Sequence, residues 1–224
     1  MSMKRVAVLA VWICASCLYL NPAAAQEFTP PQGKAHGVVV VSGSRGAPSY
    51  EPAAKQIAAM GYDVLLLDSK DMVGDHGAGI RAGIDKLQHS ANALPGKVGV
   101  VGFSLGGGQA LAFAASQADT VAVVVVMYPL TRLFKDHIPV TVGRIQVPVL
   151  MLAGEDDSYK DCCRIETARA IGAAAQAAHV PLELVTYPGA GHDFIDESSR
   201  NYDAKSAADA WQRTEAKLKQ YLSN

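Results

Sequence analysis

Ser104 stands in the pentapeptide Gly102-Phe103-Ser104-Leu105-Gly106. A serine hydroxyl is a weak nucleophile until a neighbouring base takes its proton. The G-x-S-x-G spacing fits a sharp strand-to-helix corner that turns the serine outward. On such a corner the residues two before and two after the serine press together, so both must lack a Cβ. The serine then heads a helix, where unpaired N–H groups and the helix dipole favour a developing anion. A base and a carboxylate to orient it must come from elsewhere in the chain. Two stretches offer them: the acidic cluster Glu155-Asp156-Asp157 behind Gly154, and His192 within Tyr187-Pro188-Gly189-Ala190-Gly191-His192-Asp193-Phe194.

The elements that must position these residues are legible as a rhythm. Residues 38–41 are four valines, and 64–67, 98–101, 121–127, 147–152 and 182–187 are further apolar runs rich in Val and Leu. Continuous β-branched runs without polar alternation describe strands buried on both faces, as in parallel sheets covered by helices. The intervening stretches 52–60, 80–89, 106–116, 162–178 and 204–222 are rich in Ala, Lys, Gln, Glu and Leu and are expected to form those helices. Residues 130–146 are expected to be a loop with some short structure. Alternating strand and helix reads as a right-handed α/β fold. Ligands of such sheets gather outside the carboxyl ends of strands. Ser104 follows the third run, the acidic cluster the fifth and His192 the sixth. The chain order serine, acid, histidine is that of α/β-hydrolases rather than of chymotrypsin or subtilisin.

Composition narrows the classes. The chain has 224 residues, 50% hydrophobic and 18% charged, with 20 basic and 21 acidic side chains for a net charge of −1. That describes a globular chain with material for one core, and no basic run marks a nucleic-acid binder. Lys4 and Arg5, the apolar run 6–20 and Ala23-Ala24-Ala25 form the three-part pattern of a secretory signal peptide. Removing residues 1–25 would leave 26–224 as a single domain of 199 residues with net charge −3, in the periplasm or secreted, with no stable membrane insertion. The run falls short of the ~20 residues of a spanning helix. Cys162 and Cys163 would then be the remaining cysteines. They are read as two small thiols at a helix start, with a redox or metal-capturing role as the alternative. The other five histidines, His36, His76, His89, His137 and His179, are scattered without ligand spacing, so neither a metal nor another cofactor is implied.

On these residues the sequence resembles the dienelactone hydrolase family of α/β-hydrolases. The resemblance runs from about Gly37 to the C-terminus and rests on Gly61-Tyr62-Asp63-Val64-Leu65-Leu66-Leu67-Asp68-Ser69, the elbow at 102–107, residues 154–157 and residues 187–194. It implies an α/β-hydrolase fold: a mostly parallel sheet of about six strands, helices on both faces and no large lid. It places the acid three residues after Gly154, at Asp157 rather than Asp156. The family's namesakes use a cysteine nucleophile where Ser104 stands here, which resembles the esterase-like members. Oxyanion N–H groups are expected from Ser44, in the loop after the first strand, and from Leu105. The implied activity is hydrolysis of a small-molecule ester or lactone through a Ser-His-Asp triad. The alternatives are a thioesterase, or a catalytically silent binding protein of the cell envelope.

Overall fold

The computed structural model describes residues 25–30 and 33–222. The valine-rich runs form strands, as their lack of alternation predicts. Among the described residues seven strands make one sheet: β1 (Gln26–Phe28), β2 (Gly37–Val41), β3 (Asp63–Leu67), β4 (Val98–Phe103), β5 (Val121–Met127), β6 (Val149–Gly154) and β7 (Leu182–Tyr187). Their order is β1-β3-β2-β4-β5-β6-β7. β2 to β7 pair in parallel, while β1 runs antiparallel along the edge of β3. The about six strands expected are β2 to β7, and β1 adds a short edge strand. β1 escapes a hydrophobicity reading because two of its three residues are polar and it is largely exposed, as edge strands tend to be.

Both faces of the sheet are covered by helices α1 (Glu51–Ala59), α2 (Ala78–Gln88), α3 (Leu105–Gln109), α4 (Ile138–Gly143), α5 (Ile165–Ala177) and α6 (Ala204–Leu222). Within β2, Val38 and Val40 belong to a core shared with Ile57 of α1 and Ala210 and Leu218 of α6. Val39 and Val41 belong to the opposite core, with Ile80 and Ile84 of α2 and Ile171 of α5. The pleat sends alternate side chains to opposite faces, and both faces are dry, so every position must be apolar. From β2 the chain steps to β3 on one side. From β4 onward it steps the other way. The reversal between β2 and β4 opens a crevice at the carboxyl ends of the strands, the ligand position of open α/β sheets.

Three local readings change. The helix expected over 106–116 is α3 followed by a π-helical turn, Ala110–Ala114. The helix expected from residue 162 starts at Ile165, so Cys162 and Cys163 precede it. They are joined in a disulfide rather than standing as two thiols. The chain reaches them through positive-φ turn residues, Lys160 (φ 47°) and Asp161 (φ 52°), so the pair sits in a tight link instead of on a helix. The stretch 130–146 holds a 3-10 turn, Thr131–Phe134, and α4, the short structure expected there. The signal peptide expected over residues 1–25 lies, apart from Ala25, outside the described residues. Among the described residues no helix is long and apolar enough to cross a membrane.

Candidate active site

Ser104 sits between β4 and α3 with φ 50° and ψ −114°. This is a strained conformation for a side-chain-bearing residue, of the kind that persists only where the surroundings enforce it. Backbone bonds hold the corner: Ser104 N–H donates to Met127 O (3.0 Å), the N–H groups of Leu130 (2.8 Å) and Gly108 (3.0 Å) donate to Ser104 O, and Gly106 N–H donates to Ser42 O (3.1 Å). The flanking glycines are required by contact with backbone. A Cβ at 102 would lie 2.5 Å from Gly106 O, and one at 106 would lie 2.3 Å from Ser42 O. The elbow is thus clamped against the loop after β2. Leu105 heads α3, so its N–H has no partner four residues back in the helix. Ser44 lies exposed on the β2 loop. Its neighbour Gly43 is the loop residue pressed against Ser104, since a Cβ there would come 3.2 Å from Ser104 Cβ.

The structure brings Ser104, His192 and Asp157 into one hydrogen-bonded line. His192 Nδ1 lies 2.7 Å from Asp157 Oδ2, and His192 Nε2 lies 3.0 Å from Ser104 Oγ. A carboxylate can only accept, so the proton belongs on Nδ1, which leaves Nε2 as acceptor for the serine hydroxyl. All three residues are buried. The other acids of the cluster have different partners. Glu155 accepts from Thr186 Oγ1 and Arg169 (both 2.7 Å), which together hold its carboxyl below the usual range, while Asp156 is exposed. Asp157 also accepts from Tyr159 N–H through its second oxygen, at 3.1 Å.

The two loops that carry the acid and the histidine are fitted to each other. A Cβ on Gly154 would lie 2.4 Å from Ala190 O, and Asp156 N–H donates to that same carbonyl (3.0 Å). Phe194, fully buried, anchors the far side of the histidine loop, and Asn201 Nδ2 donates to His192 O at 2.9 Å.

Aromatic rings complete the cage around the imidazole. Tyr159 stacks on His192 with centroids 4.6 Å apart and planes 12° from parallel, and Tyr128 meets it edge-on at 4.9 Å. Neither ring was singled out from the sequence. Tyr128 was within reach of the same rule that located the others, since it is the first residue after β5. The disulfide lies beside this cage: the sulfurs of Cys162 and Cys163 and a ring nitrogen of His192 fall within 4.8 Å of one another.

A cavity of about 720 Å³ opens next door, among Tyr50, Ile195, Tyr202, Trp211 and Tyr128. Ser104 and His192 do not line it. Tyr128 is shared, with its ring against the histidine and part of its surface in the cavity. At the mouth Arg45 pairs with Asp196 at 2.5 Å and approaches Asp193 at 3.7 Å. Burial pushes the Asp196 carboxyl up, but Arg45 and Ser198 outweigh it and hold the group below its ordinary value. Burial raises the Tyr128 phenol well above its usual range, so the ring stays neutral.

Residues 66–222 match the profile of the dienelactone hydrolase family. The carboxymethylenebutenolidase of Rhodococcus opacus is 30% identical over 199 residues, covering 79% of this chain and 77% of that protein. The Aquifex pyrophilus protein usf is 30% identical over 145 residues, 64% of this chain. This chain spans 59% of the length of that relative and 50% of a Yersinia pestis relative. Among solved structures, the dienelactone hydrolase-like promiscuous phosphotriesterase P91 from metagenomic libraries superposes with a TM-score of 0.73 at 21% identity, covering 89% of this chain and 92% of that one. Esterase 2 of Thermogutta terrifontis gives 0.68 at 16% identity, over 89% and 90% of the two chains. These likenesses show a shared α/β-hydrolase fold. The match over residues 66–222, together with the Rhodococcus relative, carries the stronger conclusion: the chain belongs to the dienelactone hydrolase family.

Proposed function

We propose that this protein is a serine hydrolase of small carboxylic esters and lactones, acting through Ser104, His192 and Asp157. The observation that carries the reading is the unbroken line from carboxylate to imidazole to hydroxyl, at 2.7 and 3.0 Å, ending on a serine held at positive φ.

The steps follow from the donors and acceptors. His192 Nε2 takes the Ser104 proton as Oγ attacks the acyl carbon. Asp157 keeps the ring oriented and stabilises the imidazolium that forms. Charge on the carbonyl oxygen is met by the N–H groups of Leu105 and Ser44. Collapse of the tetrahedral intermediate expels the alcohol, which takes the proton from His192. Water, activated by the same nitrogen, then attacks the acyl-enzyme and frees Ser104.

The substrate class draws support from the relatives, one named carboxymethylenebutenolidase and another esterase 2. The reading extends to residues 26–224 acting as one domain after removal of residues 1–25, in the periplasm or outside the cell. Its support is the basic, apolar and Ala-rich order of the first 25 residues, and a disulfide of the kind that oxidising compartments maintain.

The direct test is turnover of p-nitrophenyl esters of increasing acyl length beside a butenolide and a matched thioester. Hydrolysis of the short esters and the lactone supports the proposal. Folded protein that turns over none of them contradicts it, and preference for the thioester would redirect the substrate class.

A further inference from the structure

The Cys162–Cys163 pair has no part in the hydrolytic steps, yet it stands against the residue on which they depend. Both cysteines are buried, as is His192. Their two sulfurs and one imidazole nitrogen lie within 4.8 Å of one another. The pair is held there by the loop that also supplies the acid. Asp157, Tyr159 and the disulfide occupy seven consecutive positions, and Arg132 N–H fixes the end of the loop by donating to Cys162 O at 2.9 Å. While the sulfurs are bonded to each other they cannot act as thiolate ligands. Reduction would turn both sulfurs into potential thiolate ligands.

We propose that the reduced pair and His192 form a three-donor site for a soft divalent cation, so that breaking the disulfide converts this buried cluster into a metal site. The donor set, two thiolates and an imidazole, is that of soft and borderline metals. Metal–sulfur bonds of about 2.3 Å and metal–nitrogen bonds of about 2.0 Å in a tetrahedral arrangement put the donors about 3.5–3.8 Å apart. The present spread contains that separation once the sulfur–sulfur bond is open.

The steps balance with a phosphine as reductant. The phosphine and one water become phosphine oxide, and the disulfide gains two electrons and two protons to become two thiols. The cation then displaces both thiol protons and accepts the lone pair of a neutral imidazole nitrogen.

Occupation has a consequence whichever ring nitrogen is used. Taking Nδ1 displaces Asp157, and taking Nε2 removes the acceptor of the Ser104 proton. This second half rests on the proposed function; the binding half does not.

The test uses the folded protein, reduced with a phosphine, desalted without oxygen and titrated with Cd²⁺. Thiolate-to-metal absorption near the ultraviolet edge reports binding, and ester hydrolysis is followed in parallel. The expected result is one Cd²⁺ per reduced chain with a charge-transfer band, none in the oxidised chain, and affinity weakened on the order of tenfold or more in both His192→Ala and His192→Gln. Ser104→Ala should bind Cd²⁺ as the parent does. A disulfide that resists the phosphine in folded protein, loss of the near-ultraviolet circular dichroism on reduction, no band, or unchanged affinity in the His192 variants would each overturn the site. If the band appears while hydrolysis persists, the inhibitory half fails and the site stands. If no ester is turned over under any condition, the proposed function fails and the titration still decides the site.

Discussion

The imidazole of His192 lies face to face with the phenol ring of Tyr159, 4.6 Å between centroids and 12° between planes. A ring face carries negative quadrupole density, so in the proposed mechanism it would favour the imidazolium formed on deprotonation of Ser104. Tyr159→Leu should lower kcat by about 2- to 30-fold, the equivalent of about 0.5–2 kcal/mol of lost cation–π stabilisation, with KM little changed. Tyr159→Phe keeps the face and should retain most of the activity. Steady-state kinetics on one short ester separates the two, and equal losses in both variants would assign the effect to the hydroxyl.

The acidic cluster offers a sharper contrast. Asp157 meets His192 Nδ1 at 2.7 Å, whereas Asp156 is exposed. Asp157→Asn should cost on the order of 10⁴ in kcat, because an amide N–H favours the wrong imidazole tautomer. Asp156→Asn should leave kcat within a few-fold. A reversed ranking would move the acid.

Gly106→Ala tests how tightly the elbow is built. Its methyl would fall 2.3 Å from Ser42 O and 2.4 Å from Val41 O, so backbone must move. A loss of about 1–3 kcal/mol or more in urea unfolding is expected, accompanied by loss of turnover. Gly143→Ala is the control: nothing lies within 4 Å of its Cβ, and a stabilisation of about 0.4–1 kcal/mol is expected.

Acid should loosen the cavity mouth. The Asp196 carboxyl is held below its ordinary value of 3.8 because Arg45 and Ser198 outweigh the effect of its burial. A depressed folded pKa means that the contribution is fully present above the unfolded value. It is lost as pH falls through the folded one. The Tm gap between the parent and Asp196→Asn should therefore be constant above about pH 5 and shrink below pH 4. A gap independent of pH from 6 to 2 would contradict this.

Much of this architecture was legible because burial on both faces leaves so little choice of residue. Residues 38–41 and 121–127 read as strands because a doubly covered sheet tolerates nothing polar there, and Ser104, Asp157 and His192 stand at strand ends. The choice of Asp157 over Asp156 came from family spacing; only the folded loop shows one carboxylate turned inward and the other outward. What escaped depends on tertiary placement. β1 is too short and polar to carry a periodic signal. The stacking of Tyr159 goes with a turn through Lys160 and Asp161 at positive φ, a conformation that Asp tolerates but Lys does not announce. The same turn brings Cys162 and Cys163 into a link where they bond to each other, rather than into the helix that their Ala-rich neighbours suggested.

The central claim is that Ser104 is an activated nucleophile. Labelling of folded protein with a fluorophosphonate, followed by peptide mass spectrometry, tests it most directly. The account predicts one adduct, on Ser104, abolished in Ser104→Ala and slowed by orders of magnitude in His192→Ala. Folded protein that forms no adduct, or carries it on another residue, would contradict the account.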